Sequence, residues 1–268
     1  MATSVTNAFI QQWSDQVKLA FQQKGTKLMD QGLTIRGVVG STYNFPKVAA
    51  ITANTKTRDS DITALDPTAS TVSVTLADYY AGVYLDKLDE IKTNANLAEA
   101  YKNSIVGAIG RKVDDVIITA LAAATNTTAT VTGGFTLAKI AECLTYLNGS
   151  DVEPEDRVIV IGAKQLSEAL QIQQLTSADY NALNAIQQGS IGNVFGFNWV
   201  MSTRLPIATN NRTCFAFSKK ALGIAVGKDI TTEVNYVPQK VSTLFNSYVS
   251  LGATVIENAG VTKFICVE

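Results

Sequence analysis

Near its start the chain places an apolar residue at every fourth position: Phe9, Trp13, Val17 and Phe21, with Ile10 and Ala20 beside them. Gln11, Gln12, Asp15, Lys18 and Gln22 take the opposite face. This period predicts an amphipathic helix, ended by Gly25. An aromatic stripe of this kind packs in a core or, near a chain terminus, against a neighbouring subunit. Phe9 and Trp13 are therefore candidate contact residues.

The pattern then becomes extended. Residues 33–51, broken at Pro46, and residues 70–85, where Val72, Val74 and Leu76 alternate with polar positions, are rich in β-branched side chains. Between them lies a polar segment, 52–69, with Lys56, Arg58, Asp59, Asp61, Asp66 and Pro67. Together they predict a long β-hairpin with a hydrophilic tip of roughly 15–18 residues, a length that compact domains keep mainly for a function. Lys56, Arg58, Asp59 and Asp61 are the candidate contact residues of that tip.

The strongest helical signal follows, over 97–124, with Asn96 as its cap. Leu97, Tyr101, Ile105, Ile109, Val113, Val116, Ile117 and Leu121 form one stripe on a helix about 40 Å long. Gly107 and Gly110 inside it predict close packing. Beyond the Thr-rich 125–132 the elements shorten and alternate. Helices are predicted over 135–148, 163–173 and 177–187. Strands are predicted over 157–161, 197–202 and 213–217, with a helical turn at 218–221. Strands return over 232–236, 247–256 and 262–267.

Composition narrows the chemistry. Lys and Arg number 22 against 23 Asp and Glu, so no basic excess grips phosphates. Histidine is absent, which rules out a Ser-His-Asp or Cys-His arrangement. Cys143, Cys214 and Cys266 are widely spaced in apolar surroundings and read as buried free thiols. The glycines at 107 and 110 lack the spacing of a phosphate loop. Those at 189, 192 and 196 lack that of a dinucleotide fold. The acidic residues at 59, 61 and 66 lack the glycine and glutamate of a calcium loop. Asp114 and Asp115 point about 100° apart on the long helix and, like the acidic turn 151–156, read as solvated. No catalytic residue, cofactor or metal site emerges. The polar start lacks the apolar core of a signal peptide, and the longest apolar run, 116–124, is too short to span a bilayer. The expectation is a soluble protein made in a cytoplasm, with no membrane contact.

The order of elements, helical arm, long hairpin, long helix, α/β insertion and closing strands, resembles the Hong Kong 97 type fold of tailed-phage shells, an α+β architecture. Local wording is similar too. Thr71-Val-Ser-Val-Thr-Leu-Ala-Asp-Tyr-Tyr-Ala-Gly-Val-Tyr-Leu-Asp86 resembles the returning strand of that family's extended loop. Ile191 to Ser202, followed by Leu205-Pro206, and Cys214 to Val226 resemble stretches of its axial domain. The resemblance implies an N-terminal arm (1–32), an extended loop (33–85), a peripheral domain with a spine helix (86–130), an axial domain (131–227) and peripheral closing strands (228–268). It also implies hexamers and pentamers of the same chain in an icosahedral virion shell. Portal and scaffolding proteins would be partners, and double-stranded DNA would be packaged without sequence-specific contact. The alternatives are a nanocompartment shell of the same fold and, from another class, a small α/β enzyme acting on a nucleotide.

Overall fold

β-branched and aromatic residues form strands where the sequence places them, and their pairing partners decide the architecture. The computed structural model describes residues 23, 25–87, 97–128, 133–172 and 193–268. In chain order these form β1 (Leu33–Arg36), β2 (Thr42–Val48), β3 (Ala69–Thr75), β4 (Ala77–Asp86), α1 (Leu97–Ala122), α2 (Leu137–Gly149), β5 (Arg157–Ile161), α3 (Ala163–Ala169), β6 (Asn193–Val194), β7 (Phe197–Met201), β8 (Ile207–Ala208), β9 (Asn211–Ser218), β10 (Leu222–Val237), β11 (Ser242–Val255) and β12 (Val261–Val267). The predicted helix bearing Phe9 and Trp13, the cap Asn96 and the helix over 177–187 lie outside the described residues. The chain divides into two compact units. One holds Met1–Gly25, Asp78–Lys112 and Ile230–Val249; the other holds Thr26–Ala77, Val113–Asp229 and Ser250–Glu268.

In the first unit β4 pairs with β11, and β11 with β10. The start of α1 lies on this sheet. Ile105 joins Leu85 and Phe245 in a buried cluster edged by Ala81, Ala98 and Tyr101. Ala98, Tyr101 and Ile105 are three and four residues apart, so they share one helix face. Burying side chains of this size contributes on the order of 1.5–3 kcal/mol each. Gly110 is a site of close packing, as its position inside an apolar helix predicted: a Cβ there would lie 2.5 Å from the Gly25 carbonyl oxygen.

In the second unit β5 is the centre of a sheet ordered β12-β9-β5-β7-β6, with β8 added to β9. β5 is parallel to β7 and antiparallel to β9. Every β5 residue is buried, which is why it reads as an unbroken apolar run after Arg157. Arg157 itself is buried. Its guanidinium donates to Asn148 Oδ1 (2.8 Å) and to the carbonyls of Glu153 (3.0 Å) and Val152. Burial lowers its pKa, but an arginine stays charged regardless. The remainder of α1 places Val113, Ile117 and Leu121 in the core at zero exposure. Val116, predicted to belong to the same stripe, is only half-buried. α3 ends at Ala169, short of the predicted 173. All three cysteines are free and buried, as their apolar surroundings predicted.

The closing strands differ most from expectation. β10 begins at Leu222, launched by a 3-10 turn at Lys219–Ala221, and runs for 16 residues. β12 does not stand with β10 and β11. It pairs antiparallel with β9, from Val261↔Phe217 to Val267↔Asn211. Its far edge is covered by the stretch after α1: Thr128 N donates to Lys263 O (2.8 Å) and Lys263 N to Asn126 O (3.0 Å). Hydropathy cannot assign a strand to one of two sheets, because both present it with an apolar face.

The last residue is held firmly. Glu268 N donates to Asn210 O at 2.6 Å, and its side chain accepts from Arg212 Nε and, at 3.2 Å, Arg212 Nη2. Arg212 holds the Glu268 carboxyl below its usual range. A depressed carboxyl stabilises the fold above its unfolded pKa, about 4.3, and loses that contribution as pH falls through the folded value. Glu268→Gln should therefore lower stability at pH 7 by about 1 kcal/mol or less, with the difference vanishing in acid. Urea melts of both proteins from pH 7 down to 3 check this.

Candidate functional site

The hairpin is built by β2 and β3, paired antiparallel from Thr42↔Thr75 to Val48↔Ala69. Leu76 N donates to Ser41 O and Ala49 N to Thr68 O, both at 2.9 Å, extending the ladder by one pair at each end. Hydrogen-bonded pairs therefore fall on odd-numbered residues of the first strand. Pro46, opposite Thr71, sits in a non-bonded pair where its missing N–H costs the ladder nothing. The predicted break at Pro46 does not occur for this reason. The outer parts of the two extended runs instead leave the hairpin. β1 pairs in parallel with β10, Leu33↔Gly223 to Arg36↔Val226, and β4 pairs with β11. Between β1 and β2 the chain turns at Gly37 (φ 73°) and Gly40 (φ 109°), backbone that a side chain would strain.

One face of the stem is seated on the second unit's part of β10 and β11. Phe45, Val74 and Ala225 are buried together, flanked by Ile35, Val38, Tyr43, Leu76 and Ile256. The Tyr43 ring meets Phe45 edge-on at 4.9 Å. Glycines make the seat. A Cβ on Gly223 would lie 2.8 Å from the Phe45 ring, and one on Gly252 would run into the Thr75 carbonyl oxygen. Lys47 pairs with Glu257 at the edge of this seat.

Beyond Ala49 and Thr68 the seat ends. Every residue from 49 to 68 is exposed except the half-buried Ser60. A turn at 58–59, with Asp59 at φ 61°, is closed by Ser60 Oγ donating to Thr57 O at 2.9 Å. Of the predicted tip residues, the structure brings together Arg58 and Asp59, 3.9 Å apart with both side chains over 90% exposed. Such a pair contributes almost nothing to stability. Lys56 and Asp61 stand in solvent nearby. Phe9 and Trp13 lie outside the described residues. The tip also exposes three aliphatic side chains that the charge pattern had overshadowed: Ile51 (58%), Ile62 (81%) and Leu65 (41%).

The segment leading to the hairpin is clamped by a residue predicted to be solvated. Asp114 is fully buried. Its Oδ1 accepts from Lys27 N (3.0 Å) and Leu28 N (3.1 Å), and its Oδ2 from Lys27 N (3.2 Å). Lys27 Nζ in turn donates to Met201 O at 3.0 Å. Asp115, also predicted to be solvated, is part-buried and takes a bidentate pair from Arg204, Nε at 2.8 Å and Nη2 at 2.5 Å, which raises the arginine's pKa. The sequence did carry a signal. Gly110, Asp114 and Ile118 form a second helical row beside the apolar stripe, and an acidic residue within such a row has to find buried donors.

This arrangement of a projecting hairpin, a long helix and a mixed α/β sheet is shared with solved phage shells. A chain from Mycobacterium phage Che8 superposes with a TM-score of 0.76 at 21% identity, covering 97% of this chain and 98% of that one. The capsid structure of cyanophage P-SCSP1u gives 0.76 at 17% identity, with 98% and 94% covered. The capsid of a native GTA particle, computed with C5 symmetry, gives 0.74 at 12% identity, with 100% and 98% covered. The fold is thus the α+β Hong Kong 97 type of phage capsids. The family model for phage capsid proteins matches residues 5–268, and the chain belongs to that family. A comparison with curated proteins finds no match. The chain's role is structural, that of a major capsid protein of a virion shell.

Proposed function

We propose that this protein assembles into hexamers and pentamers of an icosahedral shell around the double-stranded DNA of a tailed phage, and that it has no catalytic site. It is made in the host bacterium's cytoplasm and meets portal and scaffolding proteins there. Residues 1–32 form an arm, 33–85 the extended loop and 86–130 the peripheral region around the spine helix. The axial region is 131–227, and 228–268 returns to the peripheral region, although β12 within it pairs with β9. The DNA is enclosed without sequence-specific contact, and its charge is neutralised largely by mobile cations, consistent with a formal charge of −1 on the chain.

One observation carries this reading. The tip from 49 to 68 turns at 58–59 and leaves three aliphatic side chains exposed. Among the described residues, nothing of the same subunit covers these side chains to repay the entropy of ordering a segment of this length. Adjacent copies can, and closed symmetry multiplies weak contacts into a stable shell. In this reading Lys56, Arg58, Asp59 and Asp61 rim the apolar contact, and Phe9 and Trp13 make a second one.

Deleting residues 55–66 tests it. The deletion spares the whole β2–β3 ladder, so thermal unfolding should stay cooperative and near the parent Tm. Negative-stain microscopy should show closed shells for the parent and none for the deletion. Shells of normal size and yield from the deleted chain would refute the role of the tip.

A further inference from the structure

The most unusual buried group in the second unit is an amine. Lys139, on α2, is only 1% exposed. Its Nζ donates to the carbonyls of Gly133 (2.9 Å) and Ile265 (2.7 Å) and reaches Cys266 Sγ at 3.9 Å. Two carbonyl dipoles satisfy donors but do not neutralise a charge, and an ammonium at this depth is costly without an anion. Cys266, on β12, is itself at zero exposure. A hydrogen bond from Cys214 lowers the pKa of its thiol against the opposing effect of burial, and the Lys139 charge adds to the lowering. The two carbonyls aim the nitrogen at the sulfur while holding it away from direct bonding distance.

We propose that Lys139 and Cys266 are a covalent modification site, joined by an N–O–S bridge when the folded protein meets dioxygen. The amine loses one hydrogen and the thiol loses one. One oxygen atom becomes the bridge, and the other leaves with both hydrogens as water. Nitrogen and sulfur each give up two electrons, which together reduce both oxygen atoms. Dioxygen is small and apolar enough to enter a packed interior. An inserted oxygen requires a smaller approach of nitrogen to sulfur than a direct N–S bond would, so it disturbs the two carbonyl contacts less. The bridge ties α2 to β12 across 127 positions of sequence, restricting the unfolded chain as a disulfide does. The chemistry is independent of the shell reading. Only its timing depends on it, since a virion leaves a reducing cytoplasm for an oxidising exterior.

Intact-mass spectrometry of the full-length protein decides the matter. Protein purified under reductant is moved into air-saturated buffer. The mass should rise by about 14 Da, one oxygen gained and two hydrogens lost, and dithiothreitol should reverse it. Peptide mapping of the same wild-type sample should join the peptide bearing Lys139 to that bearing Cys266, and this requires no variant to fold. Cys266→Ser and Lys139→Arg should each abolish the gain, Cys214→Ser should keep it, and oxidised wild type should melt several degrees higher than reduced. An unchanged mass, a loss of about 2 Da from a Cys214–Cys266 disulfide, a gain of about 16 Da from a sulfenic acid, or a gain that survives Cys266→Ser would each overturn the proposal.

Discussion

Asp114→Ala should lower the stability of the folded chain by about 3 kcal/mol, a large effect for a single charged residue. The carboxylate is fully buried and accepts from two backbone N–H groups, those of Lys27 and Leu28. Hydrogen bonds to a charged acceptor contribute about 1.5–3 kcal/mol each, and removing the acceptor leaves buried donors unsatisfied. Leu28, at zero exposure, would then have to shift or accept water into the core. Asp114→Asn keeps one oxygen acceptor but brings two new donors, so it should recover less than half of the loss. The adjacent Asp115→Ala should cost no more than about 1 kcal/mol, because its pair with Arg204 is partly exposed to solvent. Chemical denaturation of the three variants gives the ranking. Equal losses at 114 and 115 would show that burial does not separate them.

Replacing Ile51, Ile62 and Leu65 together with Ser should raise the critical concentration for shell assembly by at least about tenfold, while changing subunit stability by no more than about 0.5 kcal/mol. All three side chains are already exposed in the subunit, so the change removes little from its core. A loss of about 1.4 kcal/mol per contact already produces tenfold, and a shell subunit engages several neighbours at once. The charged residues beside them should matter less. Arg58→Ala and Asp61→Ala, at solvated positions, should shift the critical concentration by less than about threefold. Light scattering against protein concentration measures both sets. Unchanged assembly in the triple variant, or a stability loss matching the assembly loss, would place these side chains inside their own subunit instead.

What the sequence revealed and what it hid follow from the range of each signal. Periodicity is local, so the spine helix, the buried strand at 157–161 and the hairpin stem could all be read from it. Apolar spacing also announced the close approach at Gly110. Pairing is non-local, and there the sequence fell short. Nothing in the composition of residues 33–36 or 77–86 distinguishes a strand of the hairpin from one paired with β10 or β11. The same holds for the capture of β12 by β9. Pro46 misled because its effect depends on register, and register is set by the opposite strand. Asp114 misled because a carboxylate's environment depends on what folds over it, here the backbone at 27–28 from far earlier in the chain. The polar hairpin tip was legible from its charges. Its aliphatic residues became significant only once their exposure was known.

Hydrogen exchange on the tip, compared between dissociated subunits and assembled shells, tests the central claim most directly. The backbone of residues 50–67, beyond the last paired residues of the ladder, should exchange rapidly in the subunit and become protected by at least about a hundredfold in shells, whereas the ladder of β2 and β3 should be protected in both. A tip equally labile in both states would contradict the account, since its partners would then not lie on neighbouring copies.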